Sequence, residues 1–131
     1  MLAVTKWIVA AATAVALTGL AHAQDSKNRV ELKRGNLTGT NMEIIISTAE
    51  YPPGEFLPRL IHHGEEALYV LQGGTVETPD GKQIQLVTGS AGINARDIPH
   101  AGFKVVGDKP LKLITVHIVD KGAPLYDAPP K

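Results

Sequence analysis

The chain is 131 residues long, enough for one domain, with 13 basic and 13 acidic side chains and a formal charge of +0. That balance, and the lack of any long basic run, removes the electrostatic case for nucleic acid or an anionic membrane surface as a partner. Cysteine is absent, so no disulfide scaffold, thiol nucleophile or thiolate ligand is available, and stability must come from burying a core.

At the N-terminus, Lys6 precedes an uncharged run from Trp7 to Leu20, and Ala21-His22-Ala23 follows as a small-x-small pattern. That order is expected of a secretory signal peptide over residues 1–23, cleaved before Gln24. A membrane anchor would need ~20 apolar residues, and this run is shorter. The expectation is one domain over residues 24–131, periplasmic or secreted, with no membrane attachment after cleavage.

From Arg29 onward the pattern is β. Val30-Glu31-Leu32 alternates, and Glu43 to Ser47 is apolar and β-branched. Tyr51-Pro52-Pro53-Gly54 breaks the chain, and Arg59 to His62 suits a short strand. Ala67 to Thr78 reads as one long strand with Gly73-Gly74 inside it. Pro79-Asp80-Gly81-Lys82 is a turn, Gln83 to Val87 alternates, and Gly89 and Gly92 punctuate a further turn. Phe103 to Val106 and Leu111 to Val119 are strands, and Gly122 to Lys131 is an irregular tail. About eight short strands separated by Gly, Pro and Asp turns, with no amphipathic helix after the leader, predict an all-β barrel or sandwich.

Histidine carries the chemical interest. If Glu66 faces inward, so do Leu68 and Val70, while Ala67, Tyr69 and Leu71 face outward. A hairpin through His63-Gly64-Glu65 would then bring His62 beside Glu66. An imidazole and a carboxylate converging inside a barrel form a metal-ligand arrangement; an exposed loop with two histidines and two acids fits the same spacing. His63 is expected to be an exposed turn residue. Glu65 and Glu66 fall on opposite faces and make no acid–base pair. Lys112 and Asp120 share one face of the last strand; if that face is the outer one, His117 points inward. There it is expected to be a core histidine hydrogen-bonded to a neighbour, with the role of a ligand as the alternative.

The segment from Gly54 through His62, Gly64-Glu65-Glu66 and Tyr69-Val70-Leu71-Gln72-Gly73 resembles the first motif of the cupin family. The second motif is matched more loosely, with its histidine at His100 in Pro99-His100-Ala101-Gly102-Phe103. Asn94, Arg96 and Lys104 stand where that motif usually has proline, glycine and asparagine. The resemblance runs from about Arg29 to Leu125, and implies a small β-barrel of the jelly-roll, or double-stranded β-helix, type. It also implies a divalent metal held by three histidines and a glutamate. Leu60 stands where the first of those histidines belongs. Two outcomes follow: His62, Glu66 and His100 hold the metal as a two-histidine, one-carboxylate set with open positions, or the site has lost its metal.

Two functions remain in view. One is a metalloenzyme in which iron, manganese, nickel or zinc promotes dioxygenase- or isomerase-like chemistry on a small organic molecule, with Leu60, Leu68 and Val70 shaping the pocket. The other is a non-catalytic ligand-binding cupin with a degenerate metal site, a reading that Leu60 favours. A third reading is a structural barrel that works only as a homodimer, which the resemblance associates with strand exchange at the N-terminal segment.

Overall fold

The computed structural model describes residues 28–131; the leader expected at residues 1–23 lies outside them. Nine strands follow in order: β1 (Arg29–Asn36), β2 (Met42–Tyr51), β3 (Phe56–Leu60), β4 (Gly64–Gln72), β5 (Gly74–Glu77), β6 (Gln83–Leu86), β7 (Ala91–Asn94), β8 (His100–Val106) and β9 (Leu111–Asp120). No helix occurs among the described residues. The strands form a five-stranded sheet, β1-β2-β9-β4-β7, and a four-stranded sheet, β3-β8-β5-β6. Every pairing is antiparallel. The predicted all-β architecture is the one observed.

The core joins the two sheets. Ala49, Tyr51, Val70 and Leu111 from the larger sheet cluster with Leu57, Val76 and Val105 from the smaller one. Alternation selects them: along β9, Leu111, Thr115, His117 and Val119 are buried while the intervening residues are less so. The buried positions also change character along each strand. On β2 they run from Tyr51 and Ala49 to Ser47, on β4 from Val70 to Glu66, and on β9 from Leu111 to Thr115 and His117. The register matches these transitions, with Ser47 and Leu68 opposite Thr115, and Glu66 opposite His117. One half of the interior is therefore apolar, and the other mixes these polar groups with the buried side chains of Ile45, Ile61 and Val119.

Two strand expectations need correction. The stretch from Ala67 to Thr78 is two strands in different sheets, β4 and β5, because the chain turns at Gly73. The Gly73 N–H donates to Thr88 Oγ1 at 2.9 Å. A Cβ at Gly73 would lie 2.1 Å from the Leu86 carbonyl oxygen and 2.8 Å from the Thr88 nitrogen, so only glycine lets the two backbones come this close. The turn read at Gly89 and Gly92 closes earlier, where the Ser90 N–H donates to the Val87 carbonyl at 3.0 Å. Gly92 lies within β7, opposite Leu68.

Gly73→Ala is predicted to lower unfolding stability by about 2 kcal/mol or more, since both clashing atoms are backbone and cannot rotate away. Gly35→Ala, where an added Cβ meets nothing within 4 Å, should stay within about 0.5 kcal/mol of the parent. Urea denaturation of the two variants measures the contrast, and equal stabilities would show that the close approach at Gly73 is not required.

Candidate metal centre

His62, Glu66 and His100, singled out from the sequence, meet at the polar end of the barrel. One ligand atom from each lies within 4.8 Å of the others. The route differs from the hairpin expected for His62 and Glu66. β3 pairs with β8 and β4 pairs with β7 and β9, so the segment 61–63 is a corner crossing from one sheet to the other. Three backbone anchors hold that corner. Ile61 exchanges hydrogen bonds with Asp127 at 2.9 and 3.1 Å, the His62 carbonyl accepts from the Asp97 N–H at 3.0 Å, and the His63 carbonyl accepts from the Asp120 N–H at 3.0 Å. His62 is thus fixed without belonging to a strand, and is 1% exposed.

Glu66 faces inward from β4 as its parity predicts, with Glu65 and Ala67 on the exposed side. His100 needs a special backbone. Val105 is fully buried and Phe103 packs against the core. Strict alternation from those residues would send His100 outward. Ala101 and Gly102 adopt φ of 60° and 78°; these two left-handed residues break the alternation and turn His100 in. Ala101 carries a cost of roughly 1–2 kcal/mol for that conformation. Leu60 lies opposite His100 in the β3–β8 register.

The hydrogen bonds fix which nitrogen each ring presents. His62 Nδ1 lies 2.6 Å from the Leu125 carbonyl and His100 Nδ1 lies 2.9 Å from the Ile98 carbonyl. A carbonyl only accepts, so both Nδ1 atoms carry hydrogen, and each neutral ring turns the lone pair of Nε2 toward the centre. The two Nε2 atoms are 3.1 Å apart. They lie 3.2 Å and 3.5 Å from Glu66 Oε2, which also accepts from Asn94 Nδ2 at 2.7 Å. Lone pairs and a carboxylate that face one another this closely need a cation or a proton among them. Two ligands about 2.1 Å from one ion and at right angles to each other would stand about 3 Å apart, close to the separation observed. The donor set therefore fits a divalent ion, with backbone carbonyls fixing the ligand rings as outer partners commonly do.

Electrostatics agree with the geometry. Burial favours the neutral acid at Glu66, but His100, His117 and His62 outweigh it and hold the carboxyl far below the usual range. Burial opposes charge on His100, while Glu66 and the Ile98 carbonyl raise its pKa overall. For His117 burial dominates, and the ring is pushed toward its neutral form despite Glu66.

Several participants were not evident from spacing. Asn94 stands out in the sequence only as a departure from the second motif, yet it anchors Glu66. The tail supplies the Leu125 carbonyl and the Tyr126 ring, whose centroid is 5.2 Å from that of His62; an irregular segment without a motif gave no signal for either. At the edge, the buried Arg29 side chain donates to Ser47 Oγ, and its guanidinium lies 6.0 Å from the Tyr126 ring centroid. His63 does not face the centre. It bridges Asp97 and Asp127 at 2.9 and 3.1 Å, and the Asp127 bond, with Asp97 assisting against burial, raises its pKa. His117 is inward as predicted and 0% exposed, but the hydrogen bond expected of a core histidine is missing: neither ring nitrogen has such a partner among the described residues. Its Nε2 stands 3.4 Å from Glu66 Oε1, an ion-pair distance without hydrogen-bond geometry.

The fold is similar to that of an uncharacterized conserved protein with a double-stranded β-helix domain from Klebsiella pneumoniae, with a TM-score of 0.56 at 14% identity over 82% of this chain and 90% of that one. It is also similar to the polyketide cyclase RemF from Streptomyces resistomycificus, with a TM-score of 0.52 at 23% identity over 74% of this chain and 69% of that one. No curated protein matches the chain in sequence. The family model described as the cupin domain matches residues 47–117, a span from the middle of β2 to His117 that contains all three of the converging residues. The chain belongs to the cupin family.

Proposed function

We propose that the protein is a metal-dependent cupin that acts on a small oxygenated organic molecule outside the cytoplasm, through dioxygenase- or isomerase-like chemistry. The observation that carries this reading is the pair of Nε2 atoms 3.1 Å apart beside a buried carboxylate, with both Nδ1 atoms committed to carbonyls. His62, Glu66 and His100 would hold the ion. When bound, a divalent metal supplies Lewis acidity and open coordination positions for substrate. Glu66 offsets part of the ion's charge, Asn94 fixes the carboxylate, and the Leu125 and Ile98 carbonyls keep both rings in the tautomer a ligand requires. Leu60 and Leu68 offer apolar surface for the carbon skeleton. Ring closure belongs among the reactions to screen, since RemF, a polyketide cyclase, has a similar fold. The leader sequence supports export.

Leu60 in place of a motif histidine favours a second reading, a barrel that binds a small ligand without turning it over. Metal content separates the two. Elemental analysis of untagged protein should find close to one divalent ion per chain, and almost none in His100→Ala. A chain that stays metal-free after loading with iron, manganese, nickel and zinc would overturn the metalloenzyme reading and favour ligand binding.

The tail's part is checked by nitrogen NMR on metal-free protein. His62 should show the Nδ1–H tautomer, opposite to the Nε2–H form that free imidazole side chains prefer. Removing residues 124–131, which takes away the Leu125 carbonyl, should mix the tautomers and weaken metal affinity by about 10- to 100-fold. An unchanged tautomer in the shortened chain would mean that the carbonyl does not orient the ring.

A further inference from the structure

We propose that His117 is a further ligand of the metal held by His62, Glu66 and His100, supplying from β9 the nitrogen that Leu60 cannot supply from β3. This rests on the metal reading above and extends it to a donor that neither cupin motif contains.

Position comes first. His117 stands directly opposite Glu66 in the β4–β9 register, and opposed residues of an antiparallel pair share a face with Cβ atoms about 5 Å apart. Its ring centroid is 4.6 Å from that of His62, at an interplanar angle of 80°. Its Nε2 approaches Glu66 Oε1 at 3.4 Å, whereas His62, His100 and Asn94 gather on Oε2. The two carboxylate oxygens thus divide the imidazoles, with His117 on one side and the motif histidines on the other.

Satisfaction comes second. A buried polar side chain almost always has a hydrogen-bond partner, and leaving one without costs about 1–3 kcal/mol. His117 is fully buried, and both its nitrogens lack such a partner among the described residues. His62 and His100 each have a carbonyl partner at Nδ1, and His63 has carboxylate partners at both ring nitrogens. A buried imidazole aimed at a carboxylate and without a hydrogen bond is suited to bind a cation through its lone pair. The β3 side offers nothing equivalent, because Leu60, opposite His100, has no donor atom. Moving one nitrogen from β3 to β9 restores a set of three imidazoles and one carboxylate.

Copper(II) reports the number of nitrogens directly through hyperfine splitting in its electron paramagnetic resonance spectrum. Metal-free protein loaded with one equivalent of copper(II) should show three coupled nitrogens. His117→Gln should show two and bind at least about tenfold more weakly in chelator competition. Adding Leu60→His to that variant should return the third nitrogen. Should His117→Gln fail to fold, zinc(II) added to the unsubstituted protein gives the same answer by nitrogen NMR, because a coordinated His117 shifts one ring resonance together with those of His62 and His100. Three nitrogens retained in His117→Gln, or a His117 ring unmoved by zinc(II), would overturn this assignment while leaving the three-residue site intact. Failure of the unsubstituted protein to bind either ion would overturn the metal reading itself.

Discussion

A carboxylate taken into a protein interior must be surrounded by groups that carry or accept its charge, or it protonates. Glu66 meets that requirement with contacts from separate parts of the chain: His62 from the corner after β3, Asn94 at the end of β7, His100 at the start of β8 and His117 in β9. Those segments come from both sheets, so the arrangement that keeps Glu66 ionised also sets how the sheets meet at this end. The costs elsewhere make sense in this light. Ala101 is held left-handed because otherwise His100 would point away. The 61–63 corner is tied to three separate segments because His62 has no strand to hold it.

The division of the interior into halves makes such a site tolerable. Leu111, Val70, Val76 and Val105 are at most 1% exposed, and each fully buried aliphatic side chain contributes about 1.5–3 kcal/mol. The other half also buries Ile45, Ile61 and Val119, but its polar groups bring no such return. Thr115 Oγ1 and both His117 nitrogens are buried without hydrogen bonds among the described residues. The long strands β2 and β9 pass through both halves, so packing at the apolar end holds in register the residues whose interactions at the polar end are unfavourable in isolation. A fold stabilised at one end can carry chemistry at the other.

Legibility from the sequence follows the same physics. Period-two alternation placed Glu66, Val70 and His117 inside correctly, because alternation is a local property of a strand. It failed where backbones cross closely or φ changes sign. Gly73 reads as a glycine inside one long strand, and its real role, a close approach to Leu86 and Thr88, involves partners more than ten residues away. His100 was found through the motif and not through parity, since the left-handed Ala101 reverses what parity predicts for β8. The run Ile44-Ile45-Ile46 was recognisable as strand but its faces were not, because Ile44 and Ile46 on the outer side are themselves half-buried. The tail had neither period nor motif, so nothing in it announced that Leu125 would orient His62.

The position of Leu60 is best understood through the barrel as a whole. A motif written along one segment describes one way of bringing donors to a level of the barrel. Any inward position at that level on another strand is equivalent as far as an ion is concerned, provided its lone pair points inward. β3 and β9 belong to different sheets, and the centre stands between them. If the nitrogen comes from β9, the side of the centre next to β3 keeps the hydrocarbon surface of Leu60 in place of an imidazole. The exchange then conserves the charge and donor count around the ion but changes the wall from which a substrate's carbon skeleton would be recognised. Loss of a motif histidine is therefore weak evidence for loss of a metal site, and stronger evidence for a change in what the site accepts.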